Sequence, residues 1–332
     1  MLKFFYFLMF FCVSTFLGAQ EKGVHYFNRY SKKVEKEKIM GAAFIKFLAG
    51  NRLGKAIVNK AGTKISDVMG AMNKLPPSAR KVGSFVKDYN ISILEYIVPN
   101  IKSSKTLGFK SFNDFFIRPL KRGFRENKYP KYFKNKSSLI AFADARYLGF
   151  GKWTSKDRVP VKGHQVKVME ILGKRGLEYK DIFEGGPMVI ARLAPVDYHR
   201  FHFPAGGKIV ATWDEGGPLY SVSPLALSRK TDILFTNKRR ITIVDSPTFG
   251  HLAYVEVGAT GVGAMIDTFK TKRGKKFKKG DEKGYFEFGG STIVLLGDIS
   301  GKWKPDSDLL KLTKKGMELF IEYGDSLGKT RY

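Results

Sequence analysis

The chain has 332 residues, 43% of them apolar and 14% aromatic, which is enough to bury the core of one large domain and excludes a disordered chain. A formal charge of +29 directs it towards polyanions, and charge alone does not choose between nucleic acid and anionic membrane. The single cysteine, Cys12, excludes a disulfide framework and a thiolate metal site.

Residues 1–20 place Lys3 ahead of an apolar run from Phe4 to Leu17, followed by Gly18-Ala19-Gln20. This is the plan of a secretory signal peptide. The run is shorter than the roughly 20 residues that span a bilayer, so an uncleaved membrane anchor is the second reading. Either way a membrane-associated protein is expected, with the membrane itself unspecified.

From Val34 to about Leu75 the pattern predicts helix, with Ile39, Met40, Ala43, Phe44, Phe47 and Leu48 on one face. Ile57, Val58 and Ala61 extend it, and Pro76-Pro77 end it. A basic amphipathic helix either packs onto a core or lies in a membrane interface. Residues 21–125 are expected to be a helical, membrane-associating part. Near its end, SFNDFFIRPLKRG (residues 111–123) predicts a short helix wedged into the core by Phe112, Phe115 and Phe116, with Arg118 left to meet a carboxylate or phosphate.

After Pro130 glycines and β-branched residues recur, and turn signals bound short strands at 209–213, 240–244 and 253–257. The expected fold class is α+β: a helical N-terminal part on a mainly antiparallel, barrel- or sandwich-like β core over residues 126–332. The chain lacks a βαβ period and a strand-following GxGxxG, which excludes a nucleotide-binding Rossmann unit, and it lacks zinc-ligand spacing and an RNA-binding consensus.

Within the core, Asp144 follows an apolar strand in SLIAFADARYLGFG. The stretch LAPVDYHRFHFP (193–204) sets two of the five histidines, His199 and His202, three residues apart beside Asp197, Tyr198 and Arg200. A helical His-x-x-His can hold a metal, but prolines at both ends and no third ligand at a useful interval speak against one. Proton transfer is the chemistry this residue type serves near neutral pH. His25, His164 and His251 lack such neighbours and read as structural or surface groups. In GYFEFGGSTIVLL (284–296), Phe286 and Phe288 alternate with polar residues, Gly289-Gly290 remove the side chains, and a continuous apolar strand follows Ser291-Thr292. A glycine pair in a strand pattern marks a bulge, a kink or a close backbone approach, and is also ordinary turn punctuation. The Ser291 hydroxyl is well placed to reach the carbonyl of Gly290 and attack its own peptide bond.

These motifs together resemble the phosphatidylserine decarboxylase proenzyme family. Residues 111–123 are similar to its Phe-Asn-Glu-Phe-Phe-x-Arg-x-Leu-Lys, with Asp114 for Glu. Ala143-Asp144-Ala145 is similar to its Pro-Ala/Val-Asp-Gly, with Phe142 and Ala145 in place of Pro and Gly. Residues 193–204 resemble its Leu-x-Pro-x-Asp-Tyr-His-Arg-x-His-x-Pro, and YSVSPLAL (220–227), Asn237-Lys238-Arg239 and GHLAYVEVGATGVGAM (250–265) resemble further segments, with Ala264 and Met265 for Ser and Ile. Gly-Gly-Ser-Thr resembles its self-cleavage site. The resemblance implies cleavage between Gly290 and Ser291 and a covalent pyruvate (pyruvoyl) cofactor made from Ser291. It also implies decarboxylation of phosphatidylserine to phosphatidylethanolamine. His202 is implied as the base acting on Ser291, Asp144 as the group orienting it, and His199 as the proton donor in decarboxylation. Implied partners are the lipid substrate, an anionic membrane surface, the two fragments of the cut chain and a second copy in a homodimer, without metal or nucleic acid. Two other readings stand beside it: a non-catalytic basic membrane-binding protein on the same fold, and a secreted nucleic-acid-binding protein supported by charge alone.

Overall fold

A computed structural model of the chain describes residues 24–37, 68, 70–100, 103–153, 168–218, 236–258, 265–288 and 291–331. The leader and its Cys12, the face from Ile39 to Leu48, His164, the segment 220–227, Ala264 and the Gly289-Gly290 pair lie outside these residues.

The fold is α+β, mostly sheet with short helices. The strands are β1 (His25–Asn28), β2 (Lys33–Lys36), β3 (Ser138–Ile140), β4 (Ala145–Phe150), β5 (Met188–Leu193), β6 (Arg200–His202), β7 (Gly207–Glu215) and β8 (Arg239–Ser246). They continue with β9 (Gly250–Val257), β10 (Met265–Asp267), β11 (Lys276–Phe277), β12 (Glu282–Phe286), β13 (Ser291–Gly297), β14 (Trp303–Pro305), β15 (Glu318–Ile321) and β16 (Ser326–Thr330). Ten of them form one open sheet in the order β11-β7-β8-β9-β13-β5-β4-β15-β1-β2, and two three-stranded sheets run β10-β12-β6 and β14-β16-β3. Every pairing in the large sheet is antiparallel except β1 with β15. The barrel expected as one form of the core does not close among the described residues: the large sheet ends on β11 at one edge and β2 at the other.

β13 explains its position by composition. All seven residues of STIVLLG are buried, as a strand covered on both faces requires, and it lies between β9 and β5 in the middle of the large sheet. The strands expected at 209–213, 240–244 and 253–257 are parts of β7, β8 and β9.

The expected wedge is present. The helix Phe112–Phe116 starts at Ser111, whose side chain accepts from Asp114 N at 3.0 Å, while the Asp114 carboxylate accepts from Lys110 N at 2.9 Å. Phe112, Phe115 and Phe116 are buried with Val82, Phe85, Phe109 and Phe288 in a cluster of their own. Burying each such ring is worth roughly 1.5–3 kcal/mol, so this small core fixes the helical part against Phe288, the residue immediately before the Gly289-Gly290 pair.

Two expectations are corrected. Helix was expected to begin at Val34, but Lys33–Lys36 form β2, hydrogen-bonded to β1, which adds to the large sheet alongside β15. Arg118 was expected to meet a carboxylate or phosphate. It is instead fully buried, donating to the carbonyls of Phe115, Val196 and Asp197 with its guanidinium over the rings of Tyr96 and Phe115. No helix among the described residues is long and apolar enough to cross a membrane.

Candidate active site

Phe286 ends β12 in one three-stranded sheet and Ser291 begins β13 in the large sheet, so the chain changes sheets across the glycine pair. Both ends of this crossing are tied to the same stretch. Ser291 stands opposite Leu193, the last residue of β5, and Phe286 N donates to His199 O at 3.0 Å. Between them Phe288 N donates to Asn113 Oδ1 at 2.9 Å, its ring meets Phe112 and Phe116, and Glu287 pairs with Lys74 at 2.7 Å. Ser291 is fully buried and its Oγ has no hydrogen-bond partner among the described residues; Thr292 Oγ1 is in the same state.

The loop from Leu193 to His199 is locked by Asp197, a residue without an assigned role in the sequence reading. Its carboxylate accepts from Ala194 N at 2.6 Å and from Arg146, while Asp197 N returns a bond to Ala194 O at 2.9 Å. Arg146 and Arg192 share Glu37, and Arg192 also holds Glu318, so a buried ion-pair row backs the loop. Burial pushes the Asp197 carboxyl up and Arg146 pulls it back down. His199, fully buried, lays its ring 3.8 Å from that of Phe116 and places Nδ1 3.0 Å from Asp197 O.

His202 ends β6, opposite Glu282 of β12, with its backbone N on Phe142 O at 2.8 Å. Its Nδ1 lies 3.0 Å from Gly280 O and its Nε2 3.0 Å from the Tyr198 hydroxyl. Nδ1 therefore carries the proton it donates to the carbonyl, and Nε2 accepts from the phenol. Burial lowers the pKa of this imidazole to about 3, which keeps it neutral.

Asp144 sits just before β4, buried. Its Oδ2 accepts from Arg125 at 2.9 Å and its Oδ1 from Tyr323 N at 2.7 Å. Burial raises its pKa to about 7 against the lowering effect of Arg125. Arg125 is the hub of this end of the site, since it also meets Glu95 at 2.7 Å and Glu322. The structure thus does not bring the Asp144 carboxylate into hydrogen bonding with His202: both oxygens and both ring nitrogens are engaged elsewhere. Tyr323 lies between them, its ring stacked on that of His202 at 3.8 Å and 13°.

Gly280, Arg125 and Tyr323 are the neighbours that sequence reasoning missed, and Tyr198 stood in the histidine motif without an assigned role. Gly280 gave one local signal, a glycine before Asp281 in a turn. Its φ is +87°, and a Cβ there would come within 2.7 Å of Phe133 Cε1, so glycine alone fits the bend that presents its carbonyl. The other two histidines among the described residues are His25 in β1 and His251 in β9. The segment resembling the family's Val-Glu-Val contributes Glu256, paired in the interior with Lys283 of β12. Asn237 donates to Gly258 O at 2.7 Å. No cluster of three metal-ligating side chains occurs among the described residues.

A buried serine hydroxyl with no hydrogen-bond partner among the described residues thus stands at a sheet crossing tied to the loop that ends at His199. The sequence model described as "Phosphatidylserine decarboxylase" matches residues 112–328. The chain belongs to the phosphatidylserine decarboxylase family. It is thereby an enzyme of the decarboxylase class. Curated relatives support the assignment over nearly the whole length. A phosphatidylserine decarboxylase proenzyme of Fusobacterium nucleatum is 36% identical over 310 residues, covering 93% of this chain and 98% of the relative. One of Chlamydia trachomatis serovar L2 is 37% identical over 311 residues, covering 92% and 96%, and one of Clostridium novyi is 35% identical over 304 residues, covering 91% and 98%.

Proposed function

We propose that the chain cuts itself between Gly290 and Ser291, converts Ser291 into a pyruvoyl group, and decarboxylates phosphatidylserine to phosphatidylethanolamine at an anionic membrane surface. The observation that carries this reading is the Ser291 hydroxyl, buried without a hydrogen-bond partner among the described residues at the first position of the central strand. An orphaned buried polar group costs about 1–3 kcal/mol, and a nucleophile kept clear of competing bonds is a reason to bear it. Relatives named as proenzymes support processing of the chain.

His202 serves as the base. It is neutral, its Nδ1–H is fixed on the Gly280 carbonyl, and Nε2 is the accepting atom once the Tyr198 hydroxyl gives way. Ser291 Oγ attacks the Gly290 carbonyl carbon as its proton passes to His202. The Gly290–Ser291 C–N bond breaks, the acyl group moves to Oγ as an ester, and the freed amine takes the proton. Removal of the Ser291 α-proton then breaks Cβ–Oγ, which releases the upstream chain as a carboxylate and leaves dehydroalanine. Water displaces its nitrogen as ammonia, and an N-terminal ketone remains.

The residues present fit that group, because it needs no ligand beyond the side chain that Ser291 already places in the interior. When formed, the ketone supplies the electron sink that the side chains themselves lack. His199 delivers the proton to the carbon that has lost carbon dioxide, held in place by Asp197 O and Phe116. Asp144 acts on His202 at one remove. The upstream and downstream fragments remain together as a heterodimer. Exposed Val68, Met72, Leu75, Leu94 and Ile97, interspersed with exposed Lys74, Arg80, Lys81 and Lys87, support a lipid-facing surface on the helical part.

The test is Ser291→Ala. It should run as one uncut polypeptide and release no carbon dioxide from phosphatidylserine; cutting and activity at parental levels would contradict the proposal.

A further inference from the structure

Three separate parts of Tyr323 converge on the cleavage base. Its backbone N–H donates to Asp144 Oδ1 at 2.7 Å, its ring lies face to face with the His202 imidazole at 3.8 Å and 13°, and its hydroxyl donates to Gly280 O at 3.0 Å. That carbonyl oxygen is the one His202 Nδ1 meets, also at 3.0 Å, so its two lone pairs serve the imidazole and the phenol together. Tyr323 is itself fixed. It is 2% exposed, in the turn between β15 and β16, with its ring edge-on to Phe133, and its neighbour Glu322 is held by Arg125, Lys128 and Tyr129. In a serine triad a carboxylate holds the imidazole directly, fixing its tautomer and its rotation. Here the Asp144 carboxylate is spent on Arg125 and the Tyr323 backbone, and the imidazole is held by a carbonyl and the face of Tyr323.

We propose that Tyr323 is the positioning residue of the cleavage base, linking Asp144 to His202 and fixing the ring so that Nδ1 carries the proton and Nε2 stays basic. The proposal rests on the self-cleavage reading above. Tyr323 also lies downstream of the cut, so the fragment beginning at residue 291 keeps hold of an imidazole that belongs to the upstream fragment. The charged and titratable groups facing the ring are Tyr198 and Arg200 on its own segment, Glu282 from β12, and Arg125 and Asp144 beyond Tyr323. Burial beneath Tyr323 contributes to holding the imidazole neutral, and removing the phenol admits water to it.

The experiment follows the time course of self-cleavage by denaturing electrophoresis for Tyr323→Leu, Tyr323→Phe and His202→Ala. Histidine ring 15N spectra are recorded from pH 5 to 8 in the uncut Ser291→Ala background. Tyr323→Leu is expected to cut about a hundredfold more slowly, the scale of an ångström-sized displacement of a catalytic group. In its spectra His202 should lose the fixed Nδ1–H tautomer and titrate nearer the ordinary histidine range. Tyr323→Phe keeps the stack and loses one hydrogen bond; it should hold the tautomer and cut about fivefold more slowly. If Tyr323→Leu does not fold, the Phe variant decides alone. Parental cutting in either variant, or slow cutting by Tyr323→Leu with an unchanged His202 spectrum, overturns the proposal. His202→Ala separates the two readings: if it cuts at the parental rate, His202 is not the base, and the proposal for Tyr323 falls with that assignment while self-cleavage stands.

Discussion

His199 and His202 are three residues apart but stand in different surroundings, which matches the different work proposed for them. His202 is clasped by Gly280, Tyr198 and Tyr323, whereas His199 leans on Phe116 of the helical part and on the carbonyl of Asp197. Replacing His199 leaves the clasp around His202 intact. A His199→Ala variant should therefore cut itself and then decarboxylate 10²- to 10⁴-fold more slowly, the usual share of a general acid. Electrophoresis and carbon dioxide release measured on one preparation check this, and failure to cut would show that His199 belongs to the cleavage machinery instead. The residues proposed for these roles stood out in the sequence as short local patterns, a histidine pair between prolines and a hydroxyl after two glycines, and the family resemblance implied what each does. Tyr323, Gly280 and Arg125 did not stand out. Each reaches the site through long-range packing, and neither a tyrosine after a strand nor a buried arginine carries a mark in the local pattern. Arg118 misled for a related reason, since an arginine in a motif suggests an anion and this one satisfies backbone carbonyls in the interior.

Among the elements, the helix Phe112–Phe116 carries more weight than its length suggests. Five residues cannot hold a helix in isolation. The Ser111 cap, the Asp114 carboxylate on Lys110 N and the Ser78 hydroxyl accepting from Phe112 N at 2.9 Å hold its first turn. Ser111→Ala should cost about 1 kcal/mol of stability, the usual worth of such a cap. The lost cap should be read as a lower denaturant midpoint in the uncut Ser291→Ala background; an unchanged midpoint would mean that packing alone fixes the helix. The phenylalanine wedge and the core strands were visible from periodicity. The hairpin of β1 and β2 was not, because HYFN and KVEK have only four residues each, the first partly buried and the second charged and mostly exposed. Their place in the sheet comes from parallel pairing with β15 near the other end of the chain. The break between β12 and β13 was visible as a glycine pair, but the sequence pattern does not say that the two strands belong to different sheets.

Across the whole molecule, the proposed cut would divide the chain without dividing the sheet. β13 lies between β9 and β5, β15 between β4 and β1, and β16 between β14 and β3, so strands downstream of residue 290 are interleaved with upstream ones. The charge of +29 acts at this scale as well. If it serves an anionic lipid surface, retention on phosphatidylserine-containing vesicles should be strong at low salt and weaken as ionic strength rises. Tighter retention on DNA under the same conditions would favour a nucleic-acid partner. The central claim, that the chain makes its own working group from Ser291, is tested most directly by intact-mass analysis of the purified protein under denaturing conditions. The account predicts two fragments, with the smaller one spanning residues 291–332 and beginning with a pyruvoyl group in place of serine. A single full-length mass, or a small fragment with an ordinary N-terminal serine, would contradict it.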